Sequence, residues 1–160
     1  MAVEAPVSEN ENAARYVIKQ AGATLAARRS DIAADFVAQL YTRAVAEDVL
    51  CYAAADLANV AERAFDFLKE RQPGAPSIRC ETVELKESGE RKSVSVIEIV
   101  NDDMPFLVDS VMGEIAERRL NVQLVAHPVF GVRRDGGKLV ALGAADAALG
   151  ARESFIHIHL

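Results

Sequence analysis

The 160-residue chain has no tryptophan, two cysteines, no long apolar run and no excess of positive charge. Each shortage excludes something. With 18 Lys and Arg against 24 Asp and Glu, the net charge is −6. A nucleic-acid binder needs a basic face, so no nucleic-acid partner is expected. No run approaches the roughly 18 apolar residues of a membrane helix, so no membrane partner is expected either. The N-terminal Met1–Pro6 lacks the basic and apolar regions of a signal peptide. Cys51 and Cys80 form no C-x-x-C motif. They read as two buried thiols of a reduced, cytoplasmic protein, with a single disulfide left open. There is no G-x-G-x-x-G, so a dinucleotide-binding fold is not expected in these residues.

What is present is a half-apolar chain rich in alanine. That is enough to bury a core in one domain or a little more. Residues 1–8 read as a flexible tail. From Asn10 to about Arg28, apolar residues recur at three and four (Ala13, Ala14, Val17, Ile18, Ala21, Leu25), predicting a helix. Ser30 is placed to cap a second helix with the stripe Ile32, Phe36, Val37, Leu40 and Tyr41. A connector follows around Glu47–Tyr52. A third helix from about Asp56 buries Leu57, Val60, Ala61, Ala64, Phe65 and Leu68, and its end at Lys69, Glu70 and Arg71 reads as solvated. Pro73-Gly74-Ala75-Pro76 stops it. These residues, 9–72, form a helical subdomain in which no chemistry is visible.

After Pro76 the period becomes two. Ile78 to Leu85 and Val94 to Val100 read as a hairpin joined by the polar loop Lys86–Arg91. In the second strand Val94, Val96 and Glu98 face one way, and Ile97 and Ile99 the other. Leu107, Val108, Val111, Met112 and Ile115 make a helical stripe. Val122–Val132 is a long strand marked by a bend at Pro128, which has no N–H to donate. Asp135-Gly136-Gly137 predicts a hairpin turn, and Phe155–Leu160 alternates again. Residues 77–160 thus read as an α+β domain. Its order begins a ferredoxin-like plan and leaves it incomplete, as though truncated at the C-terminal end, with an open sheet edge for self-association.

The most site-like stretch is the polar corner Asn101-Asp102-Asp103 before Met104-Pro105-Phe106. In the plain reading Asp103 caps the helix and Asp102 is in solvent. In the alternative, the helix N-terminus takes the carboxylate of a small ligand and the side chains take its amine. His157 and His159 share a strand face without a visible third ligand, and Asp102, Asp103 and Asp109 do not match a calcium loop, so no metal site is expected. No nucleophile and base fall at a catalytic spacing, and no catalytic residue is assigned.

The strings IVNDDMPFLVDSV, VAHPVFGVRRD and ESFIHIHL resemble the N-terminal region of large bacterial NAD-dependent glutamate dehydrogenases. DVLCYAAADLANVAERAFDFLKERQPG resembles the helices that precede it. The resemblance implies an ACT-type module, a ferredoxin-like unit that binds amino acids or pairs subunits in regulated enzymes. NAD would then belong to the full-length enzyme and not to this stretch. Asn101, Asp102, Asp103, Met104 and Phe106 become the candidate effector contacts. Generic modules of this type carry Gly where Phe106 stands, and a side chain there leaves a ligand less room. The implied function is a non-catalytic regulatory or oligomerisation region, with an amino-acid effector, the remainder of the parent chain and other copies of itself as partners. The alternative is a stand-alone ACT-like sensor or interaction domain.

Overall fold

The computed structural model describes residues 7–160, so the tail expected over 1–8 falls outside the described residues as far as residue 6. The first helix, α1 (Glu9–Arg28), starts where Ser8 accepts from the Glu11 N–H and Glu11 reaches back to the Ser8 N–H. That reciprocal pair satisfies two donors that a helix start leaves open. The second expected helix is confined to α2 (Phe36–Leu40), and Ser30 lies in a turn ahead of it and caps nothing. Arg29 explains the shortening. It holds Asp31 at 2.8 Å, Glu62 at 3.1 Å and Asp66 at 3.0 Å, fixing the turn against the later helix. The expected connector contains a further short helix, α3 (Ala46–Leu50), before α4 (Ala54–Leu68). Among the described residues the helical layer therefore has four helices where the sequence pattern predicts three.

A six-stranded antiparallel sheet follows, in the order β1-β2-β6-β4-β5, with β3 also pairing β6. The strands are β1 (Ser77–Glu87), β2 (Glu90–Asp102), β3 (Leu124–Ala126), β4 (Val129–Asp135), β5 (Lys138–Ala144) and β6 (Ala151–His159). β3 and β4 act as one interrupted strand along β6, broken at His127-Pro128 as the missing proline donor requires. The Pro128 carbonyl still accepts from the Phe155 N–H at 2.9 Å. Because β2 and β4 are both antiparallel to β6, they run parallel to each other with β6 between them. The helix α5 (Leu107–Glu117) carries the chain from one to the other. This split β-α-β is the ferredoxin-like element anticipated above. The last strand, β6, is central and not an edge, and β1 occupies the place beyond β2.

The sheet is covered on both faces. Val94, Val96, Val100, Leu124, Phe130 and Phe155 join Phe36, Leu40, Leu57 and Leu68 of the helical layer in one core. Phe36 anchors that contact, with its ring 5.2 Å from Phe65 and 6.0 Å from Phe130. On the opposite face Ile156, Ile158 and Ile115 form a smaller core with Ile97, Ile99, Val108 and Val111. The alternation in β2 and β6 sorts these two sets as the pattern predicts. Of the two thiols, Cys51 is half-buried and Cys80 is exposed on β1; both are free, which corrects the expectation of two buried thiols.

Candidate functional site

The corner between β2 and α5 is less open to a ligand than its sequence suggests. Asp103 does not cap α5: the N-cap position falls on Phe106, which makes no side-chain cap. Pro105 favours an extended residue before it and delays the helix. Asp103 instead turns to Arg152, pairing with its guanidinium at 3.3 Å and donating its N–H to the Arg152 carbonyl at 3.1 Å. Phe106 sits in the left-handed region, φ 65°, and is 77% exposed. An aromatic residue rarely adopts that conformation. The position therefore carries the backbone that a glycine would supply, with a side chain directed into solvent. Met104 is also exposed, and its sulfur lies 3.9 Å from the Asn101 Nδ2 donor.

Asn101 and Asp102 are engaged from the other side by Arg71. After α4 the chain runs as a short strap beside β5, with the Arg71 N–H donating to the Gly137 carbonyl and the Leu139 N–H to the Lys69 carbonyl. The strap turns the Arg71 side chain inward. Its Nη1 donates to Asp102 at 2.9 Å and to Glu153 at 2.8 Å, its Nη2 to Asn101 at 3.4 Å and its Nε to the Ala75 carbonyl at 2.7 Å. Arg134 closes a fork on Glu153, with both contacts at 2.9 Å. Burial works against the charge on Arg71, but Asp102 and Glu153 outweigh it and raise its pKa. The expected solvated end of the third helix is thus wrong at Arg71, which is buried.

A second polar cluster lies under the helical layer. Glu98 on β2 is directly opposite His157 on β6. Arg79 on β1 donates to Glu98 Oε2 through Nε at 2.8 Å and also through Nη2. His157 Nδ1 is 3.0 Å from Glu98 Oε1, and His157 Nε2 is 2.9 Å from His159 Nε2. Burial opposes the Glu98 charge, yet the contacts from His157 and Arg79 prevail and lower its pKa. For His159, burial comes first and the neighbouring His157 second, and together they drive its pKa well below the ordinary imidazole value. Among the described residues no group of three or more His, Cys, Asp or Glu side chains is placed to share a metal ion.

Sequence reading missed these clusters, although a signal was available. Glu98 and Glu153 are carboxylates at inward positions of apolar strands, and an inward carboxylate requires a cation nearby. What could take a small ligand at the corner is a cleft of about 150 Å³ between Arg43, Asp103, Phe106 and His127. Larger grooves of about 420 Å³ and 950 Å³ run along the helical layer, away from the corner.

Fold and corner together define an ACT-type α+β module: a split β-α-β sheet whose polar turn opens the crossover helix. The family model for the ACT1 domain of glutamate dehydrogenase matches residues 36–160, and the chain belongs to that family. It is 33% identical over 125 residues to an NAD-specific glutamate dehydrogenase from Halomonas elongata. That alignment takes in 69% of this chain and 8% of the relative, so the chain spans only a small part of the curated protein it matches. No solved structure matches it.

Proposed function

We propose that these residues are a non-catalytic regulatory and assembly module of an NAD-dependent glutamate dehydrogenase. The whole enzyme would oxidise L-glutamate with NAD and water to 2-oxoglutarate, ammonia and NADH in the cytoplasm, with NAD held elsewhere in the parent chain. The observation that carries this is the family match, which runs unbroken from α2 through β6. The chemistry supports it. The buried charged and imidazole groups are bonded in two networks, Arg71 with Glu153 and Glu98 with His157 and His159.

At the corner, an amino-acid effector would set its carboxylate on Arg43 and its amine on Asp103, in the cleft beside Phe106. Asn101 and Asp102 would support that cleft through Arg71, with Met104 at its wall. Self-association would use the outer edges at β1 and β5, where Ile78 and Val140 are exposed. Isothermal titration of the full chain with a panel of amino acids tests the effector role. Heat with one amino acid, abolished in Arg43→Ala, supports it. Heat from none would leave assembly alone, read by light scattering. A native gene product ending at Leu160 would remove the parent enzyme from the account.

A further inference from the structure

The histidine pair has a proton count fixed by its geometry. His157 and His159 point their Nε2 atoms at each other across 2.9 Å, and both side chains are fully buried. One proton fits between two such nitrogens. One ring must donate and the other accept, because an imidazole nitrogen bearing a proton has no acceptor left. The opposite side of His157 is committed, since Nδ1 bonds the Glu98 carboxylate. On the opposite side of His159, Nδ1 meets no hydrogen-bond partner among the described residues. The pair can therefore carry at most one extra proton. Two imidazoliums would bring N–H against N–H at this distance.

The pair also lies where two layers meet. Tyr41, at the end of α2, sets its ring edge-on to His157 with centroids 6.1 Å apart. Tyr52, just after α3, does the same to His159 at 5.1 Å. Glu98 on β2 and Arg79 on β1 complete the surroundings of His157, and Glu87 and Asp48 lie beyond Tyr52. Apart from Arg79, none of these groups brings a cation toward the rings. Rings forced apart would push against both tyrosines and hence against the helical layer.

We propose that His157 and His159 form an acid-operated latch between the helical layer and the sheet: closed while they share one proton position, open once both are fully protonated. Protons bound only in the open state make opening easier as pH falls. Burial first, and the neighbouring His157 second, already favour the neutral form of His159. The outcome is a module whose helices loosen from the sheet on mild acidification while the strands stay paired.

Hydrogen exchange of the full chain, corrected for intrinsic rates, tests this. Opening of α2–α4 should rise about tenfold per pH unit below about 6.5 for one coupled proton. His159→Phe keeps a ring against Tyr52 and removes the second proton site, so its opening should not vary with pH over that range. An unchanged slope in the variant would overturn the latch. If the variant does not fold, imidazole nitrogen shifts in the wild-type chain decide. Doubly protonated rings appearing only together with lost protection support the latch. Two imidazoliums within a fully protected layer overturn it.

Discussion

Arg71 Nη1 lies 2.8 Å from Glu153 Oε1, and each side chain is only 4% exposed. The pair ties the strap after α4 to the central strand. Removing one partner of a buried pair leaves an uncompensated charge, so Arg71→Met should cost about 3 kcal/mol. Arg134 remains on Glu153 and keeps the loss at the lower end of that range. Asp102 is 62% exposed, and solvent screens its bond to the same guanidinium. Asp102→Ala should therefore cost less than about 1 kcal/mol. Urea denaturation with unchanged slope checks both values.

Phe106 gives a prediction of the opposite sign. Its left-handed backbone costs a non-glycine residue about 1 kcal/mol, and its exposed ring returns little packing. Phe106→Gly should leave the isolated chain equally stable or about 1 kcal/mol more stable, measured by thermal unfolding. If the ring is a contact for an effector or a second copy, the same variant should lose binding or assembly without losing stability.

Glu98 sets an acid limb of stability. Its folded pKa lies below the ordinary 4.5, so the unfolded chain binds its proton first as pH falls. The stabilisation is complete above about pH 4.5 and is lost as pH drops through the folded value. Glu98→Gln should remove this limb and cost about 2–3 kcal/mol at neutral pH, because Arg79 and His157 lose a charged acceptor. Denaturation midpoints measured across pH check the sign.

The β4–β5 turn separates its two glycines. At Gly137 (φ 86°) an added Cβ would meet the Arg71 carbonyl at 2.6 Å. Gly137→Ala should cost about 2 kcal/mol or more and free the strap. At Gly136 (φ 57°) an added Cβ meets nothing within 4 Å, and asparagine tolerates that backbone. Gly136→Asn should lie within about 0.5 kcal/mol of the wild type. Exchange protection of the Arg71 amide separates the two variants.

Much of this fold is legible in the sequence because period and punctuation are local properties. The alternation in β2 and β6 sorts both sheet faces, Asp135-Gly136-Gly137 marks its hairpin, and Pro128 marks the break in the long strand. The misreadings occur where distant residues decide. Ser30 lost its helix to the grip of Arg29 on Asp31, Glu62 and Asp66. Asp103 lost its cap to Pro105 and Arg152, and Arg71 left solvent because the strap pairs with β5. The corner stands out as polar in the sequence, but Arg71, which holds Asn101 and Asp102, lies 30 and 31 residues away along the chain, and Arg152, which holds Asp103, is more distant still. No local pattern contains them. The inward Glu98 and Glu153 were the one available hint of buried networks.

The most direct measurement is glutamate-dependent NADH formation by the 160-residue chain, with the longer dehydrogenase as the positive control. A non-catalytic module predicts no NADH above background from this chain, while the longer enzyme turns over. Hydride transfer by these residues alone would contradict the account.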